Sequence, residues 1–105
     1  METGIKTKQD ITNTLYLNRD HLRKLNVSRL GLFGSFVRGK QHPDSDIDLL
    51  VEFEPGRKTF DTFMNLSFFL EDILQHKVEL VTVESMSPYI GPHITKEVEY
   101  VSLAA

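Results

Sequence analysis

Gly34-Ser35-Phe36-Val37-Arg38-Gly39, a polar loop from Lys40 to Ser45, and then Asp46-Ile47-Asp48-Leu49-Leu50-Val51-Glu52-Phe53 form the stretch on which the reading of this sequence turns. Residues 46–53 are rich in Ile, Leu and Val and read as a strand. Residues two apart on a strand share a face. Asp46 and Asp48 then project to one side, their Cα atoms about 6.5 Å apart at roughly 3.3 Å per residue. Ile47, Leu49 and Val51 point the other way, where they can fill a core. Side chains so placed can converge on two cations about 3.5–4 Å apart, the spacing of two-metal phosphoryl-transfer sites. Like charges this close repel unless a cation lies between them. Ligands that are all oxygen select a hard ion, and magnesium together with substrate phosphates is the usual case. Taken alone, an Asp-x-Asp pair fits solvated acids at a strand start equally well, so the residues before it matter.

Those residues are Gly34-Ser35, a turn between a short strand over Arg29–Phe33 and a helical turn over Phe36–Arg38 that Gly39 ends. Such a turn presents backbone N–H groups and a hydroxyl to an anion, and glycine lets phosphates come close to the backbone. Arg38 follows Ser35 by one helical turn and can reach the same phosphates; its plain alternative is a surface arginine. The pattern G-x-x-x-x-G-K-[ST] does not occur, so this is not a P-loop.

Further out, Ile11, Leu15, Leu22 and Leu25 recur at helical spacing and predict one amphipathic helix from about Asp10 to Asn26. Thr59 can cap a long helix running to about Gln75, with Asp61 well placed in its first turn. Phe60, Phe63, Met64, Ser67, Leu70 and Leu74 make one face of that helix, and Leu66, Phe69 and Ile73 a second. Apolar residues on two sides mean either deep burial or a partner surface. Val78–Val83 reads as a third strand, and Gly91-Pro92 as the entry to a last helix with Ile94, Val98 and Val101 on its apolar face. The order predicts an α/β (α+β) domain, a small mixed sheet of about three or four strands flanked by helices.

The chain has 105 residues, 40% hydrophobic and 26% charged, the balance of one soluble globular domain spanning residues 1–105. No apolar run is long enough to span a bilayer, and Met1 to Asp10 lacks the apolar stretch of a secretory signal, so a cytoplasmic location is expected. There is no cysteine, which excludes disulfides and thiolate chemistry. A net charge of -3 argues against sequence-blind nucleic-acid binding. It leaves room for a nucleotide site, because a bound metal supplies positive charge locally. His21, His42, His76 and His93 show no metal-ligand spacing, and no Ser-His-Asp arrangement can be assembled.

The Gly34-to-Gly39 turn, the loop to Ser45 and the run from Ser45 to Val51 together resemble the signature of the DNA polymerase beta type nucleotidyltransferase superfamily. The chain length and the order of elements are most similar to its minimal nucleotidyltransferase family, whose antitoxins pair with HEPN-type toxins. The resemblance implies a nucleotidyltransferase fold, a magnesium-dependent transfer with two ions, and ATP as substrate. It implies Asp46 and Asp48 as catalytic metal ligands, with Gly34, Ser35 and Arg38 binding the nucleotide. It also implies a third carboxylate on a later strand, for which Glu79 is the candidate and Glu52 the runner-up. Glutamate stands where the family's pattern has aspartate. The expected reaction is transfer of AMP from ATP to a tyrosine of a HEPN ribonuclease toxin. The alternatives are a binding antitoxin without chemistry and the nucleotide-binding half of a two-chain transferase. Neither a membrane nor sequence-specific nucleic acid is an expected partner, and self-association stays open.

Overall fold

The computed structural model of the protein describes residues 7–42, 45–85 and 91–103. Helix α1 (Lys8–Leu17) begins at Thr7, whose hydroxyl accepts from the Asp10 N–H while the Asp10 carboxylate accepts from the Thr7 N–H. This reciprocal capping box starts the helix earlier than its apolar periodicity shows. The single helix expected from Asp10 to Asn26 is two helices, because α1 stops at Asn18 and α2 (Arg19–Lys24) follows. The Asn18 side-chain amide donates to the Thr14 carbonyl at 2.8 Å, a local bond that competes with the helical ladder. Asn26, at φ 70, ends this region in the left-handed conformation that asparagine tolerates.

Strand β1 (Val27–Phe33) leads through α3 (Ser35–Arg38) to β2 (Ile47–Phe53). Asp46, expected to open that strand, lies one residue before it. The Ile47 N–H donates to the Lys77 carbonyl at 3.0 Å. Helix α4 (Phe60–Leu74) has a Thr59–Thr62 capping box and ends at Gln75 in the left-handed region. It delivers the chain to β3 (Val78–Thr82), which a 3-10 turn, Val83–Ser85, follows. Helix α5 (Gly91–Glu97) precedes β4 (Glu99–Val101), so Val101 pairs in a strand and does not continue the helix face read from the sequence. Pro43 and Asp44 of the expected loop lie outside the described residues.

The sheet order is β3-β2-β1-β4, with β2 and β3 parallel across the α4 crossover and the other two pairs antiparallel. It is the mixed, helix-flanked sheet of the expected α+β fold. One face is the core: Leu30 and Leu32 of β1, with Ile47, Leu49 and Val51 of β2, pack with Ile11, Leu15, Leu22, Leu66, Leu70 and Leu74 from the helices. The second face proposed for α4 belongs here too, since Leu66 is fully buried and Phe69 and Ile73 pack against the core. Phe69 also stacks on the His21 ring at 4.0 Å between centroids. The burial of this face within the domain is the first of the two readings that the sequence allowed. The aromatics that α4 leaves in solvent are Phe60 and Phe68, 78% and 62% exposed. Among the described residues, no helix is long and apolar enough to cross a membrane.

Candidate active site

The opposite face of the sheet carries the acids. Asp48 is half-buried on β2, with Phe33 of β1 as its register partner on one side and Glu79 of β3 on the other. Glu79, set among Val78, Leu80 and Val81 of β3, is exposed, which spares its carboxylate the cost of desolvation. Glu52 lies at the far end of β2, where the Arg29 Nε–H donates to it at 3.1 Å. The register therefore brings Glu79, and not Glu52, beside Asp48.

Gly34 comes to the same place from the end of β1. It is buried, has φ 82, and a Cβ built on it would lie 2.1 Å from the Asp48 carboxylate. Two independent constraints therefore require glycine, a left-handed backbone and the absence of any side chain against the acid. Ser35 opens α3 immediately after, and the Gly34 carbonyl accepts from the N–H groups of Val37 and Arg38. The turn read from the sequence thus rests directly on the Asp-x-Asp strand. Gly39, at φ 71, closes α3.

Asp48 has its carboxyl pushed up from an ordinary 3.8 to about 6. Burial is the largest cause, followed by the negative charges of Glu79 and Asp46; Arg38 opposes them, and Glu97 adds a smaller push upward. Three carboxylates and one guanidinium thus act on Asp48 across this face. The Arg38 guanidinium is not left loose: its Nη1 donates to both carboxylate oxygens of Glu97, at 3.1 and 3.2 Å. Glu97 is the residue that reading the sequence missed, and its position 59 residues from Arg38 offered no local signal. His42 contributes to the polar loop through its backbone, whose N–H donates to the Ser45 hydroxyl at 2.9 Å.

Among the described residues, no three His, Asp or Glu side chains stand close enough to hold a metal ion by themselves. The donor set nevertheless suits a hard cation whose remaining ligands are phosphate and water. It is all oxygen, and the carboxylates around Asp48 raise its proton affinity, the electrostatic signature of a place where added positive charge is favourable.

Residues 17–101 match the family model of the nucleotidyltransferase domain. The chain belongs to that family. It is similar to the protein adenylyltransferase MntA of Thermococcus cleftensis, at 36% identity over 96 residues that cover 90% of this chain and 96% of the relative. A solved structure assigned as a minimal nucleotidyltransferase superposes with a TM-score of 0.71 at 29% identity, covering 91% of this chain and 97% of that one. A toxin–antitoxin crystal structure with AMP-PNP superposes with a TM-score of 0.63 at 26% identity, over 84% of this chain and 73% of that one. This nucleotidyltransferase has the minimal fold of those structures, and the turn and acids described above lie inside the matched region.

Proposed function

We propose that this nucleotidyltransferase is an antitoxin that transfers AMP from ATP to a tyrosine of a HEPN-type ribonuclease toxin. The observation that carries the chemistry is the placement of Gly34 directly against Asp48, with Ser35 next in the chain and Glu79 alongside. The likeness to MntA, and to a toxin–antitoxin structure with AMP-PNP, supports ATP as donor and a toxin as acceptor. A cytoplasmic setting, where ATP and a ribonuclease would meet, accompanies this reading.

Gly34 and Ser35 would cradle the β- and γ-phosphates with backbone N–H groups and the hydroxyl, and Arg38 would add its charge. Asp46, Asp48 and Glu79 would hold magnesium, two ions in the expected arrangement, which when bound neutralises phosphate charge and favours an ionised acceptor. A tyrosine hydroxyl has an ordinary pKa near 10 and needs a base close by. Glu79 is exposed at the sheet surface, where an incoming side chain can reach it, and would take that proton where it does not ligate the metal. The tyrosine oxygen bonds to the α-phosphorus, the bond from that phosphorus to the oxygen bridging it to the β-phosphorus breaks, and pyrophosphate leaves. Most of the acceleration comes from positioning and charge placement. The AMP group adds a bulky anion to the toxin, which repels RNA phosphates from its active site.

The test is incubation of the chain with its partner toxin, ATP and magnesium, followed by mass spectrometry of the toxin. The expected result is one or more added AMP units on a tyrosine, abolished by Asp46→Ala. An inhibited but unmodified toxin would replace transfer with neutralisation by contact alone.

A further inference from the structure

The geometry points to Glu97 as a positioning residue for nucleotide binding, one that holds the Arg38 guanidinium in place for the phosphates. The inference rests on the nucleotide-transfer reading above and adds to it a residue that lies outside the turn and the strand acids.

Arg38 ends α3, a helix of four residues, and its side chain is about half exposed. An arginine at such a position loses considerable rotamer freedom whenever it fixes an anion. Glu97 removes much of that cost in advance. It stands at the end of α5, its side chain only 24% exposed, and engages Arg38 with both oxygens. Both contacts go through a single nitrogen, Nη1. A guanidinium held this way keeps Nε and Nη2 out of the pair, so it can serve a second anion without releasing the first. Glu97 therefore positions Arg38 and does not compete for it.

The place of Glu97 is itself built into the sheet. The next residue, Val98, packs so closely over Gly31 of β1 that a Cβ there would lie 2.5 Å from a Val98 methyl, with the Tyr100 ring at 3.0 Å. Val98 is anchored by its N–H to the Ile94 carbonyl at 2.9 Å, and Tyr100 is the register partner of Gly31. The absence of a side chain at Gly31 lets the junction of α5 and β4 settle on the sheet, and this brings Glu97 to Arg38. The acids of β2 and the arginine of α3 are thus linked, through β1, to an element that follows them by many residues. Electrostatics agree with the spacing, since both Arg38 and Glu97 are near enough to act on Asp48.

The experiment is a double-mutant cycle in the affinity for ATP with magnesium, measured by titration calorimetry on the full chain and its Arg38→Gln, Glu97→Gln and doubly substituted forms. Melting temperatures of all four are recorded beside it. Arg38→Gln is expected to weaken ATP binding about tenfold, as loss of a charge-assisted contact should. Glu97→Gln should weaken it about three- to tenfold, and the double variant should bind no more weakly than Arg38→Gln alone. Glu97→Asp, which keeps the charge but shortens the reach, should fall between the wild type and Glu97→Gln. Additive losses, unchanged affinity in Glu97→Gln, or tighter binding in that variant would overturn the positioning role while leaving nucleotide binding intact. A wild-type chain that binds no ATP would overturn the nucleotide reading and this inference with it.

Discussion

Asp48 and Glu79 are register partners on adjacent parallel strands, and nothing larger than a hydrogen atom can stand between Asp48 and Gly34. The acid is therefore crowded on one side by like charge and on the other by backbone. This is a poor place for an isolated carboxylate and a good one for a carboxylate that will meet a cation. Measurable consequences follow for stability as well as for activity.

Asp48 should destabilise the metal-free domain at neutral pH. Its folded pKa of about 6 is higher than its ordinary 3.8, so its protonated form favours folding. That contribution is fully present below the ordinary value and is lost as pH rises through about 6. The full shift corresponds to about 3 kcal/mol, and the half-exposed setting reduces this to about 1–2 kcal/mol. Asp48→Asn should then be more stable than the wild type at pH 7 by about that amount, with the gap closing toward pH 4, while transfer activity is lost. Denaturant unfolding of both proteins between pH 4 and 7 in the presence of a chelator checks this. Parallel pH profiles would show that Asp48 does not titrate as described.

Gly34→Ala tests the close approach. The new methyl would have to displace the Asp48 carboxylate, in a backbone conformation that L residues avoid. A loss of about 2–4 kcal/mol in unfolding free energy is expected, together with loss of ATP binding. An alanine variant with near wild-type stability would mean that the turn can move away from the strand.

Phe68 and Phe69 should behave in opposite ways although they are neighbours. Phe69 stacks on His21 and packs on the core, so Phe69→Glu should cost roughly 2–4 kcal/mol. Phe68 is 62% exposed, and Phe68→Glu should stay within about 0.5 kcal/mol of wild type. Thermal unfolding of the two variants distinguishes this arrangement from one in which Phe69 faces a partner.

Gly31→Ala should cost about 1–3 kcal/mol, because Val98 and the Tyr100 ring must both give way. Serine at this position should be no milder. Pairing the substitution with Val98→Ala, which removes the nearer obstacle, should recover part of the loss, a coupling that denaturant unfolding of the single and double variants measures.

Much of this arrangement was legible in the chain itself, and the reasons differ by element. Strand β2 stood out because it is a dense run of Ile, Leu and Val, buried nearly throughout, with the acids Asp48 and Glu52 set into it. Helix α4 announced its start through Thr59, a local cap. The break at Asn18 was hidden because apolar residues on both sides of it keep helical spacing, and the side-chain bond from Asn18 to Thr14 leaves no trace in that spacing. Strand β4 was missed for a different reason. Its three residues carry no periodic signal, and their strand character comes from pairing with β1, far away in the chain. The same distance concealed Glu97. The glycine-serine turn and the Asp-x-Asp pair could be found together because the fold brings them into contact from nearby positions, whereas the partner of Arg38 arrives only with the last helix.

The late arrival of β4 has a consequence during synthesis. Until residues 99–101 emerge from the ribosome, β1 has β2 on one side and a row of unsatisfied backbone groups on the other. An exposed strand edge of this kind is a template for pairing with another chain, and neighbouring nascent copies on one messenger are the nearest candidates. Closing it requires only three residues, and the bridge from Lys8 to Glu99 at 3.0 Å ties that short strand back to the first helix. Slowing translation anywhere between β1 and β4 should therefore lower the yield of soluble protein more than slowing it before β1, when no edge of that strand yet exists to be covered.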